Sequence, residues 1–119
     1  MRVLVADDDT LNREFLKQLL VSHGYDVLVA EDGASALNIL KKPSAPQIAL
    51  LDWEMPGLNG IELCRAIRRD LLDHYVHVLL ISGVHPDEHR IAALEAGADD
   101  FLPKPYHPDV LLARLRVAS

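Results

Sequence analysis

Four places in the chain carry side chains that could do chemistry together. Asp7-Asp8-Asp9 closes a first apolar run, Asp52 closes a third, Ser82 closes a fourth, and Lys104 follows a fifth. Carboxylates crowded within about 4 Å repel by several kcal/mol at an intermediate dielectric, and one ammonium cannot balance them. An all-oxygen, anionic site open to water suits Mg²⁺, which keeps some of its waters and recruits phosphate oxygens. Ser82 adds a hydroxyl and Lys104 a mobile cation. A divalent metal, a hydroxyl, a lysine and a carboxylate nucleophile are together the means of phosphoryl transfer.

These residues lie far apart in sequence, so secondary structure has to assemble them. Short apolar runs at Val3–Ala6, Val27–Ala30, Ile48–Leu51, Val76–Ile81 and Phe101–Leu102 read as strands covered on both faces. Amphipathic segments alternate with them. Leu11, Phe15, Leu19 and Leu20 form a first stripe, ended by Gly24, and Ala34, Leu37 and Leu40 a second. Asn59 with Glu62 is a capping-box signature that opens a third helix through Ile61, Cys64, Ile67 and Leu71. Pro86 suits the first turn of a fourth helix, ended by Gly97, and Pro108 that of a fifth. Five βα units predict an α/β fold, a parallel sheet between two layers of helices. Ligands of such sheets bind beyond the carboxyl ends of the strands, where the chemical residues fall.

The chain has 119 residues, half of them hydrophobic, with 18 Asp+Glu against 12 Lys+Arg for a net charge of −6. That length suits one domain, able to bury a core without staples. The acidic balance argues against direct nucleic-acid binding. A single cysteine, Cys64, permits no internal disulfide and fits a reducing, cytoplasmic compartment. No run approaches the roughly 18–20 apolar residues of a membrane helix, and the acidic triplet rules out a signal peptide.

Blocks at Val3–Asp9, Leu50–Gly60, Leu80–Gly83 and Ala96–Pro105 occur in an order and spacing that resembles a receiver domain of two-component response regulators, of the chemotaxis-receiver kind. The resemblance covers essentially the whole chain. It implies a flavodoxin-like (βα)5 three-layer sandwich with strand order 2-1-3-4-5. It implies that Asp52 accepts a phosphoryl group from a phosphohistidine on a sensor histidine kinase or a histidine phosphotransfer protein. Asp7, Asp8, Asp52 and the backbone carbonyl of Glu54 would hold Mg²⁺, with Asp8 a more direct ligand than Asp7. Ser82 and Lys104 would bond the phosphoryl oxygens, and Phe101 matches an aromatic switch position that turns inward as Ser82 moves. The bond between Lys104 and Pro105 is expected to be cis. The implied protein is a signalling switch and not a multiple-turnover enzyme. Dimerisation on phosphorylation is common in the family.

The sequence departs from the family's usual pattern at Gly83, where alanine is more common, and at Glu54, an acid two residues after the acceptor. Two other functional readings stand beside the switch. Asp7-Asp8-Asp9-Thr10-Leu11 superficially resembles the nucleophile loop of haloacid-dehalogenase-type Mg²⁺-dependent phosphatases, but the threonine falls one position early and Asp99-Asp100 precedes Lys104. A receiver used only for protein interaction would tend to lose the acceptor set, which is intact here.

Other residues read more plainly. Asp9 is a helix cap. The spaced histidine pairs His85 with His89 and His74 with His77 read as solvated, since no cysteine pair or third ligand supports zinc. Arg65, Arg68 and Arg69 read as a solvated helix face, Gly57 and Gly60 as turn glycines, and Cys64 as a core filler. Trp53 reads equally well as a contact residue or as packing. The chain as a whole reads as one receiver over residues 1–119. Its last helix, Leu111–Val117, reads equally as a fraying end or as the start of a connection to a C-terminal output domain.

Overall fold

The computed structural model describes residues 1–119. Five strands, β1 (Arg2–Ala6), β2 (Asp26–Ala30), β3 (Ile48–Asp52), β4 (His77–Ser82) and β5 (Asp100–Pro103), alternate with five helices. The helices are α1 (Thr10–Ser22), α2 (Gly33–Leu40), α3 (Gly60–Asp70), α4 (Pro86–Glu95) and α5 (Pro108–Ala118). All strand pairs are parallel, in the order β2-β1-β3-β4-β5. The predicted flavodoxin-like arrangement is the one observed.

Side chains alternate across each strand and fill two cores. Val3, Val5, Ile48, Leu50, Leu79 and Ile81 pack with Leu16, Leu20, Leu111 and Leu115 of α1 and α5. Leu4, Ala6, Ala49, Leu51, Val78 and Leu80 pack on the other face with α2, α3 and α4. Each fully buried Leu contributes roughly 1.5–3 kcal/mol, so these two layers fix the sheet's register. Strands β3 and β4 are covered on both faces, as predicted. Strand β2 is not: it is an edge strand, and Leu28 stays 39% exposed.

Two of the predicted helical stripes are corrected. Helix α1 buries Leu16 and Leu20, while Leu11 and Phe15 are 82% and 52% exposed. Positions 11, 15 and 19 make a stripe about 100° round the helix from 16 and 20. Both are apolar in the sequence, and only docking on the sheet chooses between them. Helix α2 buries Gly33, Ala36 and Leu40, leaving Ala34 exposed and Leu37 half-buried. The Asn59–Glu62 capping box is formed in both directions, at 3.0 Å each way. Helices α1 and α4 run out into Gly24 and Gly97, at φ +90° and +93°, where a side chain would be strained.

Arg68 is not part of a solvated face. Its guanidinium donates to Gly97 O, Val76 O, Tyr75 Oη and Asp99 Oδ2, at 2.8, 2.7, 3.2 and 2.8 Å, tying α3 to the loops before β4 and β5. Arg65 and Arg69 are exposed as expected. Gly60 is not a free-standing turn residue either. A Cβ there would lie 2.6 Å from Asp52 O and 2.9 Å from Trp53 Cα, so α3 can start against β3 only without a side chain. No helix is long and apolar enough to cross a membrane.

Candidate functional site

Strand register assembles the site. Ala6 pairs Leu51, so Asp7 and Asp52 leave adjacent strands at the same level. Asp52 pairs Ile81, and Ser82 pairs Pro103, which places Ser82 and Lys104 on the same rim. The ladder continues one step beyond the strands. Asp7 N donates to Ala30 O, Trp53 N to Ile81 O and Lys104 N to Ser82 O, at 3.0, 2.8 and 2.8 Å. The reversal of strand order between β1 and β3 leaves a crevice here, the place where such sheets bind ligands.

Carboxylate oxygens of Asp7, Asp8 and Asp52 lie within 4.8 Å of one another. Asp7 and Asp52 are buried and Asp8 is exposed. Asp7 accepts from Asp9 N at 2.9 Å and from the Asn12 side-chain amide, while its carbonyl accepts from Arg13. Asp8 takes no hydrogen bond from the protein. Lys104 Nζ donates to Asp52 Oδ1 at 2.9 Å. Burial pushes the Asp52 carboxyl above its ordinary range, Lys104 pulls it back, and Asp7 and Asp8 add to the rise. Three oxygens from carboxylates, one of them solvent-facing, fit a hard divalent cation of the Mg²⁺ type.

The Tyr106 phenol is pushed up to about 12, by burial first and then by the charges of Asp7 and Asp52. Asp9, Asn12, Phe15, Gly83, Lys104, Pro105 and Tyr106 itself line an open cleft of about 620 Å³, which shares Lys104 with the acidic site. The Lys104–Pro105 bond is cis, as expected. Gly83 has room to spare: an added Cβ would meet Lys104 side-chain carbons at 3.6–3.7 Å, an ordinary contact. Asp9 occupies the N-cap position of α1, but its side chain makes no capping bond. Glu54 is exposed.

Sequence reasoning missed His89. Its Nδ1 lies 2.7 Å from Ser82 Oγ, and its ring stacks on Trp53 with centroids 3.8 Å apart and planes 5° from parallel. His89 is therefore half-buried and structurally engaged, not solvated. Trp53 is buried, resolving its two readings in favour of packing. Its other edge meets Phe101, buried at 2% exposure, in a T-shaped contact of 6.3 Å. The signal available in the sequence was that His89 follows Ser82 by seven residues across a turn into a helix, which has no diagnostic value without the fold.

The receiver family model, described as "Response regulator receiver domain", matches residues 3–116. The chain belongs to the response regulator receiver domain family. Among curated relatives, the receiver resembles "Response regulator MprA" of Mycobacterium sp. (strain KMS), 41% identical over 98% of this chain and 49% of that protein. The protein of the same name in Mycobacterium avium (strain 104) is 42% identical over 98% and 50%. The receiver thus spans about half the length of the curated relatives it matches. Among solved structures, the receiver domain of Francisella response regulator 1452 superposes with TM-score 0.90 at 34% identity, over 98% of this chain and 94% of that one. The BeF3-activated N-terminal receiver domain of Klebsiella pneumoniae RstA superposes with TM-score 0.90 at 31% identity, over 99% and 97%. The chain is a receiver domain of two-component signalling, and its acidic pocket suits a phospho-accepting site. It is a signalling module whose family implies a histidine kinase as partner.

Proposed function

We propose that Asp52 is the phosphoacceptor. The observation that carries this reading is the Asp52 carboxylate, buried beside Asp7 and Asp8 and held by Lys104 at 2.9 Å. One Asp52 oxygen attacks the phosphorus of a phosphohistidine, the P–N bond breaks, and the released imidazole nitrogen takes up a proton. The product is an acyl phosphate on Asp52. Lys104 is placed to follow the new phosphoryl oxygens, and Ser82 to donate its hydroxyl to one of them. Asp7, Asp8, Asp52 and the Glu54 carbonyl would hold Mg²⁺, with Asp8 the more direct ligand of the acidic pair. Once bound there, the cation supplies charge neutralisation for the phosphoryl oxygens and for the incoming carboxylate.

The donor is a sensor histidine kinase or a phosphotransfer protein. The apolar face of Leu11 and Phe15, left uncovered on α1 beside the cleft, supports docking of a protein donor there. The modification adds charge and acceptor oxygens at one point and biases the surface around α4, β5 and α5, where Phe101 is already turned inward. That surface would serve an output domain following Ser119, an effector protein or a phosphorylation-dependent homodimer. The half-length match to its relatives supports the first. The domain would work in the cytoplasm, in keeping with the free, buried Cys64.

Intact mass after incubation with acetyl phosphate tests the reading. One phosphoryl group is expected on wild type with Mg²⁺, and none on Asp52→Asn or without the metal. Adduct on Asp52→Asn would overturn the assignment. If wild type takes neither phosphoryl group nor beryllofluoride, the domain acts through protein interaction alone.

A further inference from the structure

Ser82 Oγ is engaged by His89 and Val84. It lies 2.7 Å from His89 Nδ1 and 3.0 Å from Val84 O, and Val84 N approaches it at 3.4 Å. A serine hydroxyl has one proton and two lone pairs, and Val84 O and an accepting His89 compete for that one proton. Its proton goes to Val84 O with His89 donating, or to His89 with the imidazole accepting. In neither arrangement is a proton left for a phosphoryl oxygen on Asp52.

His89 is itself held in place. The stack on Trp53, with its 3.8 Å centroid separation, fixes the ring plane, and Trp53 directly follows the acceptor in the chain. His85 packs edge-on against the same ring at 5.9 Å. His85 also has a left-handed backbone, at φ 44° and ψ 58°, so the turn between Ser82 and α4 is strained. Phe101 is already inside, against the other edge of Trp53. An inward turn of that aromatic ring is therefore not what remains to be done when Ser82 moves. What remains is to break the bond between Ser82 and His89.

We propose that His89 is a positioning residue for phosphoryl recognition: stacked on Trp53, it holds the Ser82 hydroxyl in the resting direction and so sets how far the equilibrium lies from the activated arrangement. This rests on Asp52 being the phosphoacceptor and Ser82 a phosphoryl ligand. A ligand that needs the released Ser82 binds weaker in proportion to the population that has released it. Weakening the hold therefore tightens binding without any new contact to the ligand.

Beryllofluoride with Mg²⁺ is the probe, and calorimetry reads its affinity independently of the tryptophan. His89→Phe keeps an aromatic ring on Trp53 and removes the hydrogen bond. It is expected to bind about fivefold more tightly than wild type, the effect of one neutral hydrogen bond. His89→Gln keeps a group able to donate and accept, and is expected to return towards wild type. In a Ser82→Ala background the His89→Phe gain is expected to vanish, which a purely structural role of the ring would not produce. In wild type, the His89 ring nitrogen resonances are expected to shift when beryllofluoride binds. If wild type binds while His89→Phe has unchanged or weaker affinity, or keeps its gain without Ser82, the role of His89 is overturned alone. If wild type binds no beryllofluoride, the acceptor reading falls and this one with it.

Discussion

Lys104 Nζ sits 2.9 Å from Asp52 Oδ1, so the carboxylate proposed to take the phosphoryl group is already paired with the cation proposed to follow it. The Asp52 side chain is 9% exposed and the Lys104 side chain 34%. The pair is asymmetric: the cost of burial falls on Asp52. Its carboxyl is raised above the ordinary 3.8 despite Lys104, so its ionised form opposes folding. Stability linked to Asp52 is fully present below the unfolded value of 3.8 and is lost as pH rises through the raised folded value.

Two substitutions at this pair should therefore act in opposite directions. In metal-free neutral buffer, Asp52→Asn is expected to raise stability by on the order of 1 kcal/mol, seen as a Tm increase of a few degrees. Lys104→Met is expected to lower it by roughly 1–2 kcal/mol, because the buried carboxylate then stands without its cation. The Asp52→Asn gain should close below about pH 4, where the wild-type carboxyl is protonated in both states. Urea melts across pH check this. Equal destabilisation by both variants would mean that the pair outweighs the burial of Asp52.

The acidic cluster gives a prediction for metal. At about a hundredfold excess over its dissociation constant, Mg²⁺ should stabilise wild type by about 2.7 kcal/mol, reversed by chelation. Asp8→Asn should fold as well as wild type, since Asp8 is exposed and unbonded, yet lose most of that stabilisation. Thermal melts with Mg²⁺ and with chelator decide it. A full Mg²⁺ response in Asp8→Asn would remove Asp8 from the ligand set.

Two glycines near the site should respond differently to alanine. At Gly60 the new Cβ would lie 2.6 Å from Asp52 O, and backbone must move, at a cost of about 1–3 kcal/mol. Because the atoms displaced belong to Asp52 and Trp53, Mg²⁺ stabilisation should weaken too. Gly83→Ala, with its nearest contact at 3.6 Å, should stay within about 0.5 kcal/mol. Chemical denaturation of both variants separates close approach from open space.

Tyr106 predicts an alkaline effect. Its phenol stays protonated to about 12 in the folded protein, against 10.0 when free. Between these values the unfolded chain has released a proton that the folded one keeps, so stability falls as pH rises through that window. Tyr106→Phe should be less sensitive there, losing less stability across the window than wild type. Absorbance of tyrosinate and denaturation at each pH measure the two halves of the claim. Equal alkaline loss in the variant would place the effect elsewhere.

The architecture was legible in the sequence because its determinants are local and repeated. Five apolar runs alternate with helical stripes, and Asn59 with Glu62, Gly24, Gly97, Pro86 and Pro108 mark helix ends through bonds and dihedrals that need no distant partner. The chemical residues were legible for a related reason. Asp7, Asp8, Asp52, Ser82 and Lys104 all stand at strand ends, and a parallel sheet brings such positions to one rim whatever its finer packing.

What the sequence left open were choices between near-equivalent local answers. Leu11–Phe15 and Leu16–Leu20 are apolar stripes of one helix, and only docking on the sheet buried the second. Arg68 looked like its neighbours Arg65 and Arg69 until the loops carrying Val76, Gly97 and Asp99 closed round it. His89 is a histidine in a polar turn of helix by sequence. It became a partner of Ser82 and Trp53 only because the turn after β4 swings α4 over the end of β3. Local propensity is written residue by residue in the chain. Which of two faces is covered, and which polar groups meet, depends on the relative placement of elements remote in sequence, which only the folded structure decides.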